Sequence, residues 1–220
     1  MKNKVVLVTG GVSGIGRATV VEFSQGGVRA VVVADMQDGK KLVAEIKRAG
    51  GEALYIKCDV SNEAEVKAMI QKIVKTYGRL DYAVNNAGTE GVQKPLQDLT
   101  ETEWQKTINI NLKGVWLCMK YEIPQMIKQG KGAIVNTSSI AGVIGLQNSA
   151  AYVASKHAVI GLTKVAALEN AQTGVRVNAV CPGLIKTPML ERAFTSKEME
   201  QAYIAAVPMK RLGRPEEIAD

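Results

Sequence analysis

A single histidine, His157, stands in 220 residues, and that scarcity excludes a histidine-rich metal centre. The three cysteines, Cys58, Cys118 and Cys181, lie far apart and form no CxxC pair. They offer neither a disulfide framework nor a thiolate metal site, and they fit a reducing, cytoplasmic setting. No metal is expected. No apolar run reaches the ~18 residues that a membrane span needs. The opening "MKNKVVLVTGG" lacks a long apolar stretch with a small-residue cleavage site, so it reads as a first strand rather than a leader. Aromatic residues are few, with two tryptophans and two phenylalanines, and the longest basic run is Lys40-Lys41. The net charge of +7 is therefore a dispersed, solvated surface rather than a nucleic-acid stripe.

What is present is alternation. Apolar content of 46% and charged content of 22% suit a globular chain able to bury a core. Short β-branched runs are expected as strands: "KVVLV" at 4–8, "AVVVA" at 30–34, "ALYIK" at 53–57, "YAVN" at 82–85, "AIVNT" at 133–137 and "VRVNAV" at 175–180. Between them lie helical stretches, from Ser13 to about Gln25 and from Asp38 to Ala49. Ser61 is the expected N-cap of "EAEVKAMIQKIVKTY", with Gly78 as its stop. A long helix is expected from about Thr102 into the 120s, broken near Asn111 and again at Pro124. "YVASKHAVIGLTKVAALEN" forms the next helix. Strands joined by helices pair in parallel, so the expectation is one α/β domain over 1–220. Its sheet is doubly wound, in strand order 3-2-1-4-5-6, within a three-layer sandwich. The stretch 182–205, following a strand's carboxyl end, is expected as a lid over the ligand crevice.

Gly10, Gly14 and Gly16 punctuate the turn between the first strand and the first helix. Glycine lets a backbone turn tightly and approach a pyrophosphate, and the helix N-terminus offers N–H groups and a positive dipole end. The spacing is GxxxGxG, and its strand-to-helix context is what lends it weight. Asp35 ends the second strand nineteen residues after Gly16. An acidic side chain there accepts from both ribose hydroxyls of an adenosine and repels a 2′-phosphate, or it is simply a turn residue. No basic residue stands at Val12, Ser13 or Met36, and only Arg17 lies near enough to object. NAD is therefore expected, rather than NADP. Ser13, Ile15 and Met36 join the cofactor-binding set, as do Asp59 and Val60 at the adenine edge. Asn86, Ala87 and Gly88 sit at the rim after the fourth strand, where turn chemistry alone is the other reading.

Tyr152 and Lys156 lie four residues apart on one helix face, and Ser139 precedes the tyrosine by thirteen positions. A phenol is a poor base near neutrality, but a neighbouring ammonium and an oxidised nicotinamide favour its phenolate and should lower its pKa. Ser139 can bond a substrate oxygen, Lys156 can bond the nicotinamide ribose, and Asn111 can hold a water behind Lys156. Gln93, Gln147 and Asn148 are candidate polar pocket contacts. Leu146, Leu184, Met189 and Leu190 suggest an apolar substrate instead. The expected activity is NAD-dependent interconversion of a secondary alcohol and its ketone, on a small alcohol or carbonyl substrate. A sugar or cyclic-diol dehydrogenase and a non-catalytic dinucleotide-binding sensor are the other readings.

With "TGGVSGIG", "NNAG", "INLKG" at 110–114, "SSIAG" at 138–142, "YVASK" at 152–156 and "CPGLIKTPM" at 181–189 in order, the chain resembles the short-chain dehydrogenase/reductase family over essentially its whole length. The resemblance implies a Rossmann fold and a catalytic tetrad of Asn111, Ser139, Tyr152 and Lys156. It implies nicotinamide contacts from Ile185 and Thr187 after the turn at Pro182-Gly183, and a homodimer or homotetramer. It also implies a helix and strand beyond "RLGRPEEIAD" at 211–220, so the sequence stops short of the family pattern.

Overall fold

The computed structural model describes residues 1–194 and 196–220; Thr195, inside the stretch expected as a lid, lies outside the described residues. Six strands run β1 (Val5–Thr9), β2 (Ala30–Asp35), β3 (Ala53–Lys57), β4 (Tyr82–Asn85), β5 (Gly132–Thr137) and β6 (Val175–Val180). All pair in parallel, in the order β3-β2-β1-β4-β5-β6. The chain winds outward from β1 in both directions, which leaves a crevice at the carboxyl ends of β1 and β4.

Alternation of side chains explains the two cores. Val6 and Val8 of β1 and Val31 and Val33 of β2 face α1 (Gly14–Gln25) and α2 (Lys40–Arg48), packing with Val20, Leu42 and Ile46. Val5 and Leu7 point the other way. They share the larger core with Ile70 and Ile73 of α3 (Glu63–Tyr77), Leu117 and Met126 of α5 (Gly114–Lys128), and Val159 of α6 (Ala150–Glu169). Strands buried on both faces read as continuous apolar runs, which is why "VVLV" and "AVVVA" were visible in sequence.

Two local expectations are corrected. Ser61 does not cap α3: its N–H and hydroxyl both donate to Asp59 Oδ1, at 2.9 and 2.7 Å. Asn62 is the cap, its Oδ1 accepting from Ala64 N at 3.0 Å and Glu65 N at 3.4 Å. Nor does Pro124 break the long helix, since α5 runs through it to Lys128. Pro124 has no N–H to give the Lys120 carbonyl, and both residues lie on the exposed side of the helix. The break near Asn111 is real but subtle. Between α4 (Glu101–Ile108) and α5 the ladder loosens into a π turn, Asn109–Lys113, and this delivers Asn111 inward, fully buried.

Beneath the crevice runs a buried polar chain. Asn85 Nδ2 donates to Glu122 Oε2 and to Asn136 Oδ1, both at 3.0 Å, and Asn136 Nδ2 donates to Thr163 Oγ1 at 2.9 Å. Among the described residues, the buried side-chain atoms without a partner are Asn85 Oδ1 and Glu122 Oε1. They belong to the same hydrogen-bonded pair. Burial pushes the Glu122 carboxyl up to about 7, against a small opposing pull from Asn85.

The chain continues through three short helices, α7 (Pro188–Ala193), α8 (Lys197–Ala206) and α9 (Glu216–Ala219), of which α9 packs on α1. Among the described residues no helix is long and apolar enough to cross a membrane.

Candidate active site

The strand ends and the 182–205 stretch enclose a cavity of about 720 Å³, a size typical of small-molecule and cofactor sites. Its first wall is the turn after β1. Gly10 and Gly14 have φ of +63° and +53°, a conformation that side chains resist. A Cβ on Gly16 would run into the Gly10 carbonyl oxygen and stand 2.6 Å from Asn86 Nδ2. Gly16 thus lies behind the wall rather than in it, and the glycine there is demanded by packing. Asn86 locks the turn from β4, donating to the carbonyls of Thr9 and Gly10 at 3.2 Å each. Thr9 Oγ1 in turn accepts from Asn86 N and Ala87 N, at 3.0 and 3.1 Å. Ser13 precedes α1 without capping it, so the helix end keeps donors for an anion. A cradle that a Cβ would obstruct, backed by a free helix end, fits a dinucleotide pyrophosphate.

Asp35 stands at the end of β2 on the same wall. Its Oδ2 accepts from Val12 N at 3.1 Å and its Oδ1 from Gln37 N at 2.9 Å, so it organises the turn and faces the cavity as well. Met36, Asp59 and Val60 extend this end of the cavity. Ser13, Gly14, Ile15, Ala87 and Gly88 line it further along, and Pro182, Gly183, Ile185 and Thr187 close its far side.

Ser139, Tyr152 and Lys156 meet at that far side. Ser139 Oγ accepts from Ala141 N at 3.1 Å and lines the same cavity as Tyr152. Lys156 is buried, its Nζ donating to the Thr137 carbonyl at 2.8 Å and lying 5.7 Å from the Tyr152 ring centre. Burial brings Lys156 down to about 8, with Cys181 opposing weakly. For Tyr152 the protein surroundings by themselves act in the opposite direction to the expected effect of a lysine and a bound nicotinamide. Burial raises the phenol above its ordinary value; Ser139 pulls it back, and the Glu90 carboxylate adds to the rise. Desolvation of a developing phenolate outweighs the pull of Ser139.

Asn111 is not a cavity-lining residue. Its Oδ1 accepts from Thr89 N at 2.8 Å, and its Nδ2 donates to the Thr89 carbonyl at 2.9 Å and to Ser155 Oγ at 3.1 Å. Both of its donors are thus spent on protein, and the site gains a clamp between the loop after β4 and α6. Of the pocket-facing guesses, Leu146, Leu184, Met189, Leu190 and Gln93 line the cavity, whereas Gln147 and Asn148 do not. Asn148 sits at a turn with φ +59°, its carbonyl accepting from Lys94 N at 2.9 Å. Thr9, Thr89, Thr137, Glu90 and Arg192 belong to the site architecture but carried no sequence signal. Three threonines act through backbone or generic hydroxyl bonds, and Glu90 and Arg192 lie 102 positions apart.

The chain belongs to the short chain dehydrogenase family, whose model matches residues 4–198. It is 45% identical to a cyclohexanol dehydrogenase of Acinetobacter sp. (strain SE19), over 99% of this chain and 85% of that one. It is 43% identical to a 2,5-dichloro-2,5-cyclohexadiene-1,4-diol dehydrogenase of Sphingobium indicum, over 100% of this chain and 88% of the relative. Among solved structures it is similar to NAD+-bound xylitol dehydrogenase, with TM-score 0.93 and 37% identity, covering 99% of this chain and 90% of that one. It is likewise similar to an actinorhodin polyketide ketoreductase with NADPH, at TM-score 0.93 and 36% identity, covering 99% and 87%. Proteins of this family bind a nicotinamide dinucleotide, and this chain is an oxidoreductase acting on CH–OH groups.

Proposed function

We propose that this protein is an NAD-preferring dehydrogenase that interconverts an alicyclic secondary alcohol and its ketone, with Tyr152 as general acid and base. The observation that carries this reading is the meeting of Ser139, Tyr152 and Lys156 in one cavity with the glycine turn and Asp35. When bound, the nicotinamide supplies or accepts the hydride. Ser139 holds the substrate oxygen by a hydrogen bond and stabilises charge that develops there. Tyr152 takes the alcohol proton during oxidation and returns it during reduction. Lys156 keeps two donors beyond its bond to Thr137, available to the ribose and to a phenolate. Because burial raises the Tyr152 phenol, oxidation should quicken and reduction slow as pH rises through its working pKa. Asn111 fixes the loop and helix that frame these groups. The stretch 182–205 serves as the lid of this single catalytic domain.

Asp35 supports NAD, since its carboxylate would face a 2′-phosphate across the cavity wall. The ring alcohols named in two relatives, and the apolar wall of Leu146, Leu184, Met189 and Leu190, support an alicyclic substrate. Gln93, a polar group in that wall, favours a cyclic diol as the second reading. Trp104, Trp116, Val165 and Leu168, exposed on α4, α5 and α6, support a homodimer or homotetramer.

The test follows reduced-cofactor absorbance over a panel of cyclic alcohols, diols and ketones with both dinucleotides. NAD should win by tenfold or more in kcat/KM, a difference of about 1.4 kcal/mol. Asp35→Asn, which removes the charge and little volume, should erode that preference. Equal use of NADP by the unaltered protein contradicts the cofactor assignment. Cofactor binding without turnover of any alcohol or ketone contradicts the enzyme reading and leaves a dinucleotide sensor.

A further inference from the structure

The loop after β4 and helix α7 are joined across the cavity by one forked ion pair. Arg192 Nε donates to Glu90 Oε1 at 2.8 Å and Arg192 Nη2 donates to Glu90 Oε2 at 3.2 Å. Both residues line the cavity. Glu90 springs from a fixed base, because Asn111 grips Thr89 at both N and O. Its carboxylate is 23% exposed and lines the same cavity as Tyr152. Arg192 rides on a helix capped by Thr187, whose Oγ1 accepts from Leu190 N at 3.3 Å. The surrounding lid wall is apolar, with Leu184, Met189, Leu190 and Phe194. The remaining cation in the lining beyond the catalytic lysine is Lys106, whose side chain is exposed at the rim.

We propose that Glu90 is a specificity-determining residue that restricts the pocket to uncharged alcohols and ketones, by cancelling the charge of Arg192 and fastening α7 over the substrate. The proposal rests on the oxidoreductase reading and narrows its substrate class. A substrate carboxylate entering this space meets the Glu90 charge and finds the one arginine of the wall already engaged. Removing Glu90's charge releases a planar donor fork suited to carboxylates. Removing Arg192 uncovers the glutamate and leaves carboxylates rejected.

The two single variants, Glu90→Gln and Arg192→Gln, therefore separate a charge filter from a mere latch. The neutral probe is cyclohexanol and the charged one is 4-hydroxycyclohexanecarboxylate, with binding of cyclohexanecarboxylate measured by calorimetry. In Glu90→Gln, kcat/KM for the hydroxy acid should rise about tenfold through KM, and cyclohexanecarboxylate should bind about tenfold tighter. Cyclohexanol should lose a few-fold in both variants as α7 loosens. Arg192→Gln should gain nothing toward either carboxylate. Equal changes in the two variants, or a wild-type protein that takes the hydroxy acid as readily as cyclohexanol, overturn the proposal. Calorimetry separates the two claims. Tighter carboxylate binding in Glu90→Gln without turnover of any alcohol supports the filter and sinks the oxidoreductase reading. Turnover of cyclohexanol with no carboxylate gain does the reverse.

Discussion

The two halves of the crevice are built from different materials. On the α1 side, backbone does the work: glycines at positive φ, carbonyls held by Asn86, and a helix end left uncapped. On the lid side, side chains do it: an apolar wall, a half-exposed ion pair and a short helix capped by Thr187. The first half tolerates almost no change in shape, because its closest approaches are backbone to backbone. The second can change its chemistry while keeping its shape. A dinucleotide of constant form and a substrate of variable form call for just this division.

The largest expected effect comes from filling the rigid half. In Gly16→Ala the new methyl meets the Gly10 carbonyl and Asn86 Nδ2. Stability should fall by about 1–3 kcal/mol, and calorimetry should show dinucleotide affinity down about a hundredfold. An unchanged affinity would break the contrast between the two halves.

A smaller effect sharpens it from below, in the floor that both halves share. Glu122 titrates near 7 when folded because burial disfavours its charge. A carboxyl raised above its unfolded value adds stability that is complete below the unfolded pKa of about 4.3 and is lost as pH rises through 7. The loss between pH 5 and 8 should come to roughly 2–3 kcal/mol, at about 1.36 kcal/mol per pKa unit. Glu122→Gln cannot ionise, so its urea-unfolding stability should lack this slope. The difference between the two proteins cancels Lys156 and every other shared titration. Parallel curves would show that Glu122 carries no extra proton.

Much of this was legible in the chain because the relevant signals were periodic or local. Continuous apolar strands, glycine stops and the tyrosine–lysine spacing gave the sheet order and the far wall before any coordinates. What was not legible depends on where unlike elements meet. Nothing in "NINLK" announces a π turn, yet that turn buries Asn111 and brings it to Thr89. Ser61 and Asn62 are equally good caps in isolation, and only Asp59 decides between them. The upward push of burial on the Tyr152 phenol also escaped, because spacing reveals a neighbour but not how deeply both groups are buried. The Glu90–Arg192 pair is a long-range side-chain meeting of the kind that period and spacing never encode.

The central claim is that Tyr152 carries the proton while the glycine turn and Asp35 carry the cofactor. Tyr152→Phe tests it most directly, with NAD+ affinity and single-turnover oxidation of cyclohexanol measured on the same folded protein. Oxidation should fall by about 10²–10⁴, with NAD+ affinity essentially unchanged. Oxidation at the wild-type rate would contradict the account.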